Sequence, residues 1–240
     1  MTKENKMPDY MDVFANRIYS NDFWSSVCDD ERITTLRTLF SNDSLVIDLA
    51  KEVSKNAHVL QVGLTFGNQI ETVYSKVYKQ GKYDIFDISD TQIRRANEKF
   101  GPGNLNIIKH NAVEPWTEKY DVVICYNLLS EVPPKTRNKI IDNVLASLTK
   151  GGKAVFVDCC QPDKWNIWKF FLKIYNLLYR PFALDLWKTP IENFATEKDN
   201  FRWHHVYYSG RRYQKVTAVR KILSSEDVRK LTRMFRSENS

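Results

Sequence analysis

No stretch of this 240-residue chain reaches the roughly 18 consecutive apolar residues of a membrane-spanning helix, so a helical membrane span is not expected. The opening MTKENKMPDY has no apolar region of the kind a secretory signal needs, and its acids and Pro8 argue against a transit peptide. Cysteine is scarce. Cys28, Cys125, Cys159 and Cys160 form no C-x-x-C pair and no Cys/His cluster, so a structural metal is not expected, and a reducing compartment is. Cys125 and Cys159 lie in apolar runs and read as packed thiols. Acids are short in the last third alone. Residues 161–240 carry 16 Lys+Arg against 8 Asp+Glu, whereas residues 1–160 carry 20 against 21. That imbalance, among many aromatics, points to an anionic partner, either nucleic acid or a lipid surface. No RNA-module motif accompanies it, which makes nucleic acid the weaker choice.

What is present is a chain of 42% hydrophobic and 27% charged residues, globular in composition and long enough for one α/β domain with additions. It is organised around residues 58–89, HVLQVGLTFGNQIETVYSKVYKQGKYDIFDIS. Val59–Val62 reads as a strand, Gly63 and Gly67 as a turn, and Ile70, Val73, Tyr74 and Val77 as one face of a helix. Tyr83–Phe86 reads as a second strand ending on Asp87, 20 residues after Gly67. A glycine turn that lets backbone N–H groups approach a ligand, followed at that distance by an acid for ribose hydroxyls, is the layout of a nucleotide-cofactor site.

The rest of the chain extends this unit. Residues 1–56 read as a helical cap, with Leu45, Val46, Leu49 and Val53 on one face. Residues 57–160 read as the cofactor-binding core. Its later elements are a helix over 89–100, a short strand at 106–108, an apolar strand at Tyr120–Tyr126, a helix from Pro133-Pro134 through Leu148 ended by Lys150-Gly151-Gly152, and a strand at Lys153–Asp158. Residues 161–200 form an aromatic and basic insertion, with a helix over 164–179 stopped by Pro181 and an irregular PFALDLWKTPIENF segment. Residues 201–222 read as an antiparallel hairpin around Gly210-Arg211, and 223–240 as a charged helix capped by Ser224. The fold expected is α/β: a Rossmann-like, mostly parallel seven-stranded sheet with a C-terminal antiparallel hairpin and extra helices.

Five parallel strands followed by an antiparallel hairpin resemble the class I S-adenosylmethionine (SAM)-dependent methyltransferases. The first turn of that superfamily reads acid-x-Gly-x-Gly-x-Gly; here it reads Gln61-Val62-Gly63-Leu64-Thr65-Phe66-Gly67, with two of the three glycines kept and the acid replaced. LTKGGKAVFVD is similar to the segment that enters its fifth strand. The segments YNLLSEVP, VDCCQPDKW, RPFALDLWK and YYSGRRYQKV, together with the early MPDY, resemble more closely the rhodoquinone-biosynthesis methyltransferase-like family, as do Gln61 and the aromatic Phe66 in the turn. That resemblance implies conversion of ubiquinone to rhodoquinone, a ring methoxy group being replaced by an amino group taken from SAM, with a divalent metal such as manganese. Ser130, Phe66 and Asn111 stand where that family has His, Tyr and an acid.

The candidate cofactor contacts are therefore Gln61, Gly63, Phe66 and Gly67 in the first turn, Asp87 and Ile88 after strand two, Asn111 and Ala112 after strand three, and Asn127 after strand four. Asn111 keeps a carbonyl oxygen able to accept from the adenine amino group. Glu131 and Asp158, at the mouth of the sheet, are the catalytic candidates; metal ligands are left unassigned. Residues 164–187 set Lys beside Trp and Tyr, as a membrane-surface element does, which suits a lipophilic quinone and a protein peripheral to an inner membrane. Ordinary methyl transfer to a small molecule or lipid, and a non-catalytic binding or assembly role, stay open beside amino transfer.

Overall fold

The computed structural model describes residues 42–221 except 78–79, 102, 104, 164–168 and 181, together with Asn21. The expected helices before residue 42 and after residue 223, and the aromatics Trp165 and Trp168, lie outside the described residues. The described elements are α1 (Asn42–Ala50), β1 (His58–Val62), α2 (Gln69–Tyr74), β2 (Lys82–Asp87), α3 (Asp90–Phe100), β3 (Leu105–Lys109), β4 (Tyr120–Tyr126), α4 (Pro134–Ala146), β5 (Leu148–Cys159), α5 (Lys169–Tyr179), α6 (Ala183–Lys188), β6 (Phe201–Tyr208) and β7 (Tyr213–Arg220). The strands form one seven-stranded sheet in the order β3-β2-β1-β4-β5-β7-β6. β1 to β5 pair in parallel, and β7 joins β5 antiparallel with β6 outside it. This is the architecture expected from the sequence.

β4 lies at the centre because YDVVICY offers apolar side chains to both faces, and every residue from Val122 to Tyr126 is buried. Two cores form, one on each face. The face carrying α4 and α6 packs Leu60, Phe156, Ile140, Ile141 and Leu186; the other packs α1 and α2 through Leu49, Ile70 and Val73 against Val59, Ile85 and Ile124. The face of α1 read from the sequence is the buried one: Leu45, Val46, Leu49 and Val53 are all buried. Polar ties lock α1 down. The nearly buried Lys215 of β7 bonds Asp48 and, at 2.8 Å, Glu52, whose other oxygen takes Lys153 at 2.7 Å. Cys125, Cys159 and Cys160 are free, buried thiols.

Three local expectations are corrected. The fourth helix stops at Ala146, and Leu148, expected on its face, already pairs with Tyr120 in the sheet. Gly151-Gly152 is not the helix stop but a bulge inside β5, where the β4–β5 register jumps between Tyr120 and Val122. Gly151 takes φ +91°, and a Cβ on Gly152 would lie 2.9 Å from the Tyr120 carbonyl, so both positions require glycine. The PFALDLWKTPIENF segment is not irregular throughout: it holds α6 and a 3-10 turn at Ile191–Phe194, with Ala183, Leu186 and Ile191 buried.

Candidate active site

The strand order reverses direction between β1 and β4, and at such a switch the loops leave the sheet on opposite faces and open a crevice at the carboxyl ends of the strands. A partly open crevice lies there. Val62, Phe86 and Tyr126, near the ends of β1, β2 and β4, form its floor, and Leu128, Val132 and Ile140 supply further apolar wall. The few polar groups in an apolar lining suit a small-molecule ligand.

Each expected polar contact can be placed. Gly63 lines the cavity with φ +92°, a conformation L side chains rarely adopt, and the nearest atom to a Cβ built there is 4.0 Å away on Leu128. Its backbone thus faces open space. Asp87 and Ile88 follow on β2. The Asp87 carboxylate accepts the Leu64 N–H at 2.7 Å with one oxygen and the Ser89 N–H at 2.7 Å with the other. Ser89, not Asp87, caps α3, its hydroxyl accepting from the Gln92 N–H at 3.3 Å. Burial pushes the Asp87 carboxyl up to about 6, against the opposing pull of the Ser89, Leu64 and Ile88 amides. Asn111 and Ala112 line the far side; the Asn111 Oδ1 accepts the Val113 N–H at 3.3 Å and so has one lone pair already used.

Asn127 and Glu131 form the β4 side. Asn127 holds φ +54°, anchored by its N–H on the Val157 carbonyl at 2.7 Å, and its buried Oδ1 has no hydrogen-bond partner. An orphaned buried acceptor on a cavity-lining residue calls for a donor from a ligand. Glu131 is 8% exposed and lies in the 3-10 turn Leu129–Glu131. That turn is clamped from three directions. Asp158 accepts the Ser130 N–H at 3.0 Å; Arg137, fully buried, donates to the Leu129 carbonyl at 2.6 Å; and Arg180 donates to the Ser130 hydroxyl and stands 3.8 Å from the Glu131 carboxylate.

The structure thus brings Gly63, Asp87, Ile88, Asn111, Ala112, Asn127 and Glu131 to one cavity and keeps four other candidates away from it. Gln61 is fully buried beneath the turn: it donates to the Gly63 carbonyl at 3.0 Å, exchanges amide hydrogen bonds of 3.0 and 3.1 Å with Gln69, and accepts from the Tyr83 hydroxyl. Phe66 borders a separate cavity with Thr65, Arg95 and Lys99. Gly67, at φ +85°, is buried in the turn, its carbonyl accepting from Lys99 at 3.4 Å. Asp158 is 0% exposed with both oxygens on backbone N–H groups, Ser130 at 3.0 Å and Cys159 at 2.7 Å, so it positions the Glu131 turn instead of meeting a substrate. The sequence reading missed Arg137 and Arg180. It also missed Leu128 and Val132, although YNLLSEVP had already singled out their segment.

Among the described residues no group of three or more His, Cys, Asp or Glu is arranged to hold a metal ion. The described residues around the crevice do not make a protein-held divalent-metal site. They do fit SAM: an open glycine backbone, a carboxylate at the end of β2, an orphaned acceptor on Asn127 and apolar walls.

Residues 59–152 match the model of a methyltransferase-domain family. An O-methyltransferase family protein from Burkholderia thailandensis shares the fold with a TM-score of 0.64 at 14% identity, over 86% of this chain and 62% of that one. The N-methyltransferase NodS from Bradyrhizobium japonicum, solved with S-adenosyl-L-homocysteine, superposes with a TM-score of 0.55 at 12% identity, over 86% of this chain and 96% of that one. The pyocyanin biosynthetic protein PhzM gives a TM-score of 0.57 at 9% identity, and the chain spans 62% of its length. No curated protein matches the sequence. The domain match over residues 59–152 and the shared fold are what this chain has in common with SAM-dependent methyltransferases. At these identities the likeness to solved structures speaks to the fold.

Proposed function

We propose that the protein is a SAM-dependent transferase whose acceptor is a quinone, of the type that the rhodoquinone-biosynthesis resemblance implies. The observation that carries the cofactor half is the crevice at the β1/β4 switch, where Asp87 and Asn127, whose buried Oδ1 is unpaired, line an apolar wall. Asp87 would accept from ribose hydroxyls, the Gly63 backbone would pass close to the ligand, Asn111 and Ala112 would border the adenine, and Asn127 would accept from a donor on the amino acid portion. When bound, SAM supplies an electrophilic methyl group for methyl transfer or, in rhodoquinone-type chemistry, the amino group.

The acceptor half rests on the quoted segments. Two of them build this site: YNLLSEVP supplies Asn127, Leu128, Glu131 and Val132, and RPFALDLWK supplies Arg180 and α6. Leu128, Val132 and Ile140 give the flat apolar ring of a quinone a surface to lie on. Glu131, held beside Arg180, is the group placed to take a proton from an attacking amine or hydroxyl. The methyltransferase-domain match favours a second reading, ordinary methyl transfer to a small molecule or lipid.

Mass spectrometry after incubation with SAM and short-chain ubiquinone, with and without manganese, separates the two. An aminoquinone supports the first reading. S-adenosylhomocysteine together with a methylated acceptor, and no aminoquinone, supports the second. SAM binding with neither product favours a binding role.

A further inference from the structure

Seven large apolar side chains are exposed among the described residues, and five of them lie on α5: Phe170 (66%), Phe171 (62%), Ile174 (41%), Tyr175 (42%) and Leu177 (62%). At 3.6 residues per turn these five fall within an arc of about 160°. The opposite side of the helix seats it on the protein, with Leu172 half-buried and Asn176 buried. Lys169 and Lys173 run along one edge of the apolar arc, and α5, KFFLKIYNLLY, contains no acid. Isolated exposed apolar residues need no explanation, but an apolar arc with a cationic border on one helix does.

We propose that α5 is a docking helix for an anionic lipid bilayer, its Phe170–Leu177 face entering the interface and Lys169 and Lys173 meeting headgroups. The charge of the chain selects this occupant. The last third of the chain holds twice as many basic as acidic residues, 16 against 8. A second copy docking isologously would bring the same cationic edge to both sides, with no acid on α5 to answer it. The helix is also placed to matter to the site. One residue past its end, Arg180 bonds Ser130 and stands 3.8 Å from Glu131 at the cavity, so a docked α5 sets the cavity wall close to the bilayer. The inference stands on the helix face and does not depend on which acceptor the enzyme uses.

The test is flotation of the full chain with vesicles of phosphatidylcholine, with and without phosphatidylglycerol, alongside calorimetric SAM binding as a readout of the folded core. The wild type binds the anionic vesicles. Phe170→Ser with Leu177→Ser lowers vesicle affinity at least about tenfold while leaving SAM binding unchanged. Lys169→Glu with Lys173→Glu lowers it by about tenfold at low salt, and the gap to wild type closes at high salt. Equal vesicle binding by wild type and the Phe170/Leu177 variant overturns the proposal, as does a wild type that binds no vesicles. A wild-type dimer that the Phe170/Leu177 variant dissociates, without vesicle binding, also overturns it and assigns the face to a second copy.

Discussion

The two walls of the cavity treat polar groups in opposite ways. On the β1 side, Gln61, Gln69, Thr65 and Tyr83 bond one another beneath the glycine turn: Gln69 takes the Thr65 hydroxyl at 2.7 Å and trades amides with Gln61, which also takes the Tyr83 hydroxyl. The set is closed, and it holds the shape of the turn. On the β4 side, Asn127 keeps a buried Oδ1 without a partner, and Glu131 is presented to the cavity by a turn braced through Asp158, Arg137 and Arg180. A buried acceptor left open costs free energy unless a ligand fills it. Gln61, at the end of β1, thus belongs to the scaffold of the turn, while the groups left open to a ligand lie after β2 and β4.

The largest effects are expected at the two carboxylates. Asp87→Ala removes a charged acceptor, and calorimetry should show SAM affinity falling by about 100-fold, the upper range for a charged hydrogen bond. Glu131→Gln should lower kcat by about 100-fold while leaving SAM affinity within about threefold, a split that separates proton transfer from binding. Gln61→Leu should do the reverse. It leaves Gln69 and Tyr83 short of buried partners and should cost about 2 kcal/mol of stability, read by denaturant unfolding, with SAM affinity within about threefold.

Two smaller effects sharpen the contrast. Asn127→Gly keeps the φ +54° backbone and removes only the orphaned acceptor, so SAM affinity should fall by about tenfold with stability nearly unchanged. The Asp87 carboxyl, raised by burial to about 6 from its ordinary 3.8, gives a pH effect of two signs. The folded protein holds this proton more tightly than the unfolded chain, so stability without ligand gains as pH falls from about 6 towards 4. Ribose hydroxyls need the ionised form, so SAM affinity should weaken below about pH 6, approaching about tenfold per unit. Asp87→Asn should flatten that profile.

Much of this site was legible in the sequence because its signals are local. The apolar runs Val59–Val62 and Tyr83–Phe86, the helical period between them, the glycine turn and the acid 20 residues on mark strand, turn and helix by local pattern alone. What was not legible depends on partners distant in the chain. Arg137 finds its acceptors at Leu129 and Phe182, and Arg180 finds Ser130 fifty residues away; neither has a spacing that announces it. Gly151-Gly152 has the look of a helix stop, and only the β4 backbone passing 2.9 Å from a would-be Cβ reveals a bulge. Gln61 was placed at the cofactor by its position in the motif, and a partner eight residues on, Gln69, turns it inward.

The most direct measurement is a calorimetric titration of SAM into the wild type, Asp87→Ala and Gln61→Leu. One SAM per chain is expected in the wild type, with a loss of about 100-fold in affinity in Asp87→Ala and near wild-type affinity in Gln61→Leu. Absence of SAM binding to the wild type, or an affinity that Gln61→Leu abolishes and Asp87→Ala leaves untouched, would contradict it.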